Sequence, residues 1–102
     1  MRINVVGRQM DITPAIENHA EQKSTKLTKK YDDYVQQLDF TVSQEVAKKD
    51  QFQAELLVGV RSHNEIVAKA NGHDVYVLLD EVIAKAERQL HDLKEKLKLE
   101  HR

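Results

Sequence analysis

Between Asp74 and Leu99 the apolar residues Val75, Leu78, Leu79, Val82, Ile83, Ala86, Leu90, Leu93 and Leu97 recur in steps of mainly three and four. That is the period of one helix face. At about 100° per residue they fall within a sector of roughly 140°. Asp74 is the predicted N-cap, since a short carboxylate can accept from the first free backbone N–H groups. Asn71-Gly72 before it is a turn signal. At about 1.5 Å per residue the helix would span nearly 40 Å. That is long for a small domain, so its last turns, with Lys94, Lys96, Lys98 and Arg102, are expected to project beyond the core.

The earlier part of the chain alternates between periods. Residues 2–6, RINVV, predict a short strand with Ile3 and Val5 on one face. Thr13-Pro14 opens a first helix, with Thr as N-cap and Pro at the first helical position. Ile16, Ala20, Leu27, Tyr31 and Tyr34 follow as its core-facing residues. Leu38, Phe40 and Val42 alternate with Asp39, Thr41 and Ser43 as a half-buried strand that Val46 extends. Ala47-Lys48-Lys49-Asp50 is a polar hairpin turn, a little longer than two residues. Phe52, Ala54, Leu56, Val58 and Val60 form a third strand, although Leu57 and Gly59 break the polarity of its outer face. After a turn at Arg61-Ser62-His63-Asn64, Ile66, Ala68 and Ala70 mark a fourth strand, with Lys69 facing out.

The predicted class is α+β, in the order β-α-β-β-β-α. A right-handed crossover makes the first two strands parallel, and hairpins make the later pairs antiparallel. The sheet is apolar on one side, so both helices should cover that face of a four-stranded mixed sheet. The result is a two-layer sandwich of one domain over residues 1–102. Its order after the first strand matches the double-stranded-RNA-binding domain.

Composition excludes more than it identifies. The chain has 102 residues, no cysteine and a formal net charge of -1. Neither a disulfide framework nor a thiolate metal site is available. No signal peptide or membrane-spanning stretch is present, so a cytoplasmic protein is expected. The three glycines are isolated, which rules out a phosphate-binding loop. His63 and His73 flank the fourth strand at opposite ends, so no metal site and no cofactor is expected. Asp80, Glu81 and Glu87 are expected on the outer surface of the second helix, with nothing to pair them for acid–base work. An enzyme is hard to build from this inventory.

What charge patterning offers is a binding surface. His19, Lys23, Lys26 and Lys30 lie at spacings of four, three and four, hence on one stripe of the first helix. The bland alternative is a solvated lysine row. With the helices side by side, Lys23, Lys26, Lys29 and Lys30 can form one rim with Lys85, Arg88, Lys94, Lys96 and Lys98. Such a rim could neutralise backbone phosphates, and folds of this order read RNA by shape and phosphate. Tyr76, in the first turn of the second helix, either packs on the sheet edge or offers a platform for a base.

Several stretches together resemble one family. They are MRINVVGRQMDITPAIENHA at the start, then Lys23 with Lys26-Leu27, Asp74-Val75-Tyr76, Leu79-Asp80, Lys85 and Glu87-Arg88-Gln89-Leu90. From Asp74 to Leu90 they are similar to D-x-Y-x-A-I-D followed by K-L-x-R-Q-L of the ribosome hibernation promoting factors and ribosome-associated inhibitors, the sigma-54 modulation proteins. Leu78 stands for the usual small residue, Ala86 for a Leu, and Asp92 where a Lys is frequent. The resemblance implies a β-α-β-β-β-α fold and a protein without catalysis. It implies binding to the small ribosomal subunit, in the tRNA and mRNA channel near the decoding centre, that silences translation in stationary phase or stress. It implies RNA contacts at Lys23, Lys26, Lys29, Lys85, Arg88, Lys94 and Lys96. The end at Arg102 is similar to the short factor, a monomer off the ribosome that works with a separate small modulation factor to form inactive ribosome dimers. The ITPAI stretch is closer to the inhibitor type acting on single ribosomes.

Overall fold

A computed structural model describes residues 2–48 and 50–100. Lys49 of the predicted hairpin turn and Arg102 at the helix end lie outside the described residues. The elements are β1 (Arg2–Arg8), α1 (Pro14–Lys30), β2 (Val35–Gln44), β3 (Phe52–Val60), β4 (Ile66–Gly72) and α2 (Val75–Glu100). The sheet order is β1-β2-β3-β4, with β1 parallel to β2 and the other two pairs antiparallel. Both helices lie on one side of this mixed sheet.

Alternation in the strands decides which face is covered. Leu38, Phe40 and Val42 of β2, Leu56 and Val58 of β3, and Ala68 and Ala70 of β4 are all buried. Against them α2 sets Leu78, Leu79, Val82, Ala86 and Leu90, also buried. The small side chains of β4 let α2 approach closely. α1 adds Ile16, Ala20 and Leu27. Ser24 occupies the same helical row and is fully buried, its hydroxyl donating to the Ala20 carbonyl. A polar residue there was not expected in the core; the bond back along its own helix satisfies it.

Three local expectations change. β1 runs on to Arg8 because β2 offers it a partner as far as Ser43. Gly7 is needed there, since a Cβ would stand 2.3 Å from the Met10 carbonyl oxygen. Val46 does not extend β2; it is 79% exposed, in the connection after Gln44. Asn71-Gly72 is not a turn but the end of β4, paired with Gln53 and Phe52. There the ladder overrides a local turn preference. Leu57 and Gly59 lie on the uncovered face, Leu57 between Asp39 and Val67, and Gly59 beside Gln37 where the β2–β3 register shifts.

Both predicted helix caps form. The Thr13 hydroxyl accepts from the Ile16 N–H at 3.2 Å, with Pro14 next in the chain. Asp74 Oδ1 accepts from the Tyr76 N–H at 2.9 Å. The molecule measures 51 × 23 × 19 Å. Its long axis reflects α2, whose burial fades from Leu90 to the half-buried Leu93 and Leu97. Replacing Asp74 by Ala should cost about 1 kcal/mol, lowering the melting temperature by about 4–8 °C. Asp74→Ser should melt close to the parent. Thermal unfolding by circular dichroism checks both.

Candidate nucleic-acid interface

The groove between α1 and α2 gathers the lysine stripe. Lys23 and Lys26 line it together with Asp80, Ile83, Ala84 and Glu87. The stripe therefore borders the helix–helix contact. Asp80 and Glu87 are a correction: they do not stand unpaired on the outer surface but face α1. His19 Nε2 donates to Asp80 Oδ1 at 2.8 Å, and the Lys30 ammonium meets Glu87 Oε1 at 3.4 Å. Helical spacing gave the face of each residue relative to the core but not the neighbour across it.

At the far end of the groove two cations meet one ring. Tyr31 caps the C-terminus of α1 and is 1% exposed. The Lys30 and Lys94 ammonium groups stand 5.5 Å and 5.9 Å from its centroid, within cation–π range. The Tyr31 phenol, then Glu87, hold the Lys30 ammonium above its ordinary value of 10.5. Lys30 is thus a cation throughout the physiological range. Lys29 and Lys30 also sit in the last turn of α1, where the helix dipole favours positive charge.

The remaining candidates do not join this groove. Lys29 lies about 90° around α1 from the stripe, and is exposed. Arg88 is exposed on the crest of α2, opposite its buried face. Lys85 points to the other side of α2, where its ammonium donates to the Lys69 carbonyl at 2.6 Å. Lys96, three turns further along the same side, is exposed. The single rim expected from the sequence is thus two rows on either side of α2, with Lys23, Lys26, Lys30 and Lys94 in one and Lys85 and Lys96 in the other.

Tyr76 is 40% exposed and meets His19 edge-on, with centroids 5.1 Å apart and planes at 73°. It packs on α1 rather than on the sheet edge. His73 Nδ1 lies 2.7 Å from the Asp50 carbonyl oxygen, tying the start of α2 to the β2–β3 connection. Among the described residues no three His, Asp or Glu side chains converge as metal ligands would. No helix among them is long and apolar enough to cross a membrane.

Residues 3–98 match the family described as Sigma 54 modulation protein / S30EA ribosomal protein. A ribosome-associated factor Y of Haemophilus influenzae is 36% identical over 98 residues, covering 94% of this chain and 85% of its own. A ribosome hibernation promoting factor of Azotobacter vinelandii is 34% identical over 97 residues, with the same coverages of 94% and 85%. The solved ribosomal subunit interface protein of Coxiella burnetii shares the fold, with TM-score 0.81 at 24% identity over 93% of this chain and 99% of that one.

The Lys30 contact carries a pH signature. A raised folded pKa stabilises fully below the unfolded value and loses that contribution as pH rises through the folded one. The melting-temperature difference between the parent and Lys30→Met should hold steady from pH 7 to 10 and shrink above 10.5, the ordinary lysine value. Thermal melts across that range check it.

Proposed function

The chain belongs to the Sigma 54 modulation protein / S30EA ribosomal protein family, and we propose that it is a ribosome hibernation factor without catalytic activity, acting in the cytoplasm. Its target is the RNA of the small ribosomal subunit, in the tRNA and mRNA channel near the decoding centre. Occupying that channel blocks translation in stationary phase or stress. A separate modulation factor then helps pair the silenced ribosomes into dimers.

The observation that carries this reading is the lysine row of the α1–α2 groove. Lys23, Lys26 and Lys30 run along one helix, with Lys94 across from them. Closely spaced cations on a rigid helix suit the regular charge of an RNA backbone. Lys29, Arg88 and Lys96 extend the contact on the outer surfaces. Lys85, whose ammonium donates to the Lys69 carbonyl, stands on the Lys96 side of α2 and belongs to the same set. Asp80 and Glu87 temper the groove, so that the contact selects a geometry of phosphates rather than any polyanion. The projecting end of α2 lays Lys94 and Lys96 along the channel wall.

The Haemophilus influenzae relative, a ribosome-associated factor Y, favours a second reading, in which single ribosomes are inactivated without pairing. Sucrose-gradient sedimentation of stationary-phase cells separates the two by the presence or absence of ribosome dimers that depend on the protein.

Binding should be electrostatic. With about six phosphates neutralised, affinity falls by roughly 10³ between 50 and 200 mM salt. A flat salt response would point to an apolar protein–protein interface instead. The protein should also inhibit initiation on empty ribosomes more than elongation on ribosomes already holding mRNA and tRNA. Charge reversal of Lys23, Lys26 and Arg88 together should abolish inhibition and leave the circular dichroism spectrum unchanged, since all three are exposed. Equal inhibition in either order of addition would remove the channel mechanism.

A further inference from the structure

The Tyr31 hydroxyl oxygen is buried and has no hydrogen-bond partner among the described residues. Buried phenols nearly always find one, because a polar group withheld from water without a partner costs free energy. What surrounds this one is cationic. The Lys30 and Lys94 ammonium groups stand 5.5 Å and 5.9 Å from the ring centroid, one from each helix. Lys94 is half-buried, so its charge is held beside the ring and not at the end of a free stem. The phenol is the first cause of the raised Lys30 pKa, which sets its oxygen on the Lys30 side. An ammonium donates and cannot accept. Both lysines therefore leave the phenol proton unclaimed, in a place where positive charge favours an anionic acceptor.

We propose that the Tyr31 hydroxyl is the directional member of a phosphate seat, donating its proton to a phosphate oxygen held between the Lys30 and Lys94 ammonium groups. The lysines alone read charge, whereas a hydrogen bond from a buried, immobile phenol reads where one phosphate oxygen stands. Lys30 is 54% exposed on a long stem, so its ammonium can swing from the ring and close over the phosphate from the solvent side. Glu87, 3.4 Å from that ammonium, competes for the same cation. The C-terminal dipole of α1 also works against an anion here. Two ammonium groups from different helices offset both. That the phosphate belongs to an RNA backbone rests on the ribosome-binding function proposed above; that the seat takes a phosphate group rests on its geometry.

The test rests on Tyr31→Phe in the full chain, which keeps the ring under both cations and removes only the hydroxyl. Removing a buried donor that lacks an acceptor removes its desolvation cost, so the variant should melt at or above the parent. A lower melting temperature would show the hydroxyl bonded within the fold and overturn the proposal. In the parent carrying 13C at the tyrosine ζ carbon, inorganic phosphate titrated at constant ionic strength should shift the Tyr31 resonance and leave those of Tyr34 and Tyr76 in place. No shift at Tyr31, or the same shift with chloride, overturns the seat whether or not the variant folds. Against ribosomes, Tyr31→Phe should bind about tenfold more weakly, the loss of one hydrogen bond to a charged group. Its slope of log affinity against log salt should match the parent's, because no charge is lost, while Lys94→Met should lower that slope by about one. A Tyr31 shift with phosphate, joined to unchanged ribosome affinity of Tyr31→Phe, would mark a seat for free phosphate and overturn the assignment to RNA. If the parent itself does not bind ribosomes, the functional reading fails, and the phosphate titration still decides the seat.

Discussion

The apolar face of α2 against the covered side of the sheet is the contact on which the other features rest. Leu78, Leu79, Val82, Ala86 and Leu90 fill the space above β3 and β4. Fully burying one Val or Leu side chain contributes about 1.5–3 kcal/mol before conformational entropy is counted. That packing fixes the rotation of α2 about its own axis. The rotation in turn decides which residues look toward α1, which toward the β4 edge and which toward solvent. Asp80 and Glu87 reach α1, while Lys85 and Gln89 reach β4, because the helix has only one way to bury its leucines.

α1 depends on the same arrangement. Its links to the sheet are few, and most of its neighbours are on α2. The groove between the helices is therefore a product of two packing events, α2 on the sheet and α1 on α2. Tyr31 sits where these meet, with a cation from each helix over its ring. The His19–Asp80 contact and the Tyr76 ring join the helices near the start of α2. The lysines between these two junctions are held at a fixed spacing by the junctions themselves.

Much of this was legible from periodicity alone. The leucine spacing of α2, the alternation of β2 and β3, and both N-caps are local signals, and each forms as read. What periodicity could not carry was set by distant partners. Asn71-Gly72 reads as a turn until β3 is placed beside it. Ser24 reads as polar until its hydroxyl finds the carbonyl one turn back. The lysines of α2 read as one rim, because sequence gives a residue's angle to the core but not what stands beside the helix on either flank. Gln89 carried no charge or periodicity that singled it out; its place in the Glu87-Arg88-Gln89-Leu90 stretch of the family resemblance was the one available signal.

The fading burial along α2 divides one helix into two thermodynamic regimes. As far as Leu90 the backbone opens only with the sheet beneath it, at the cost of global unfolding. Past Leu93, half-contacts alone tie the helix to the core, and those turns unwind by themselves at much lower free energy. Hydrogen exchange along α2 should therefore fall off a step rather than a slope. Lys96 and Lys98 lie beyond that step, so changes to them leave the melting transition almost unmoved. Such a chain can retune the charge at the tip of its longest helix without spending any of the stability that holds the fold.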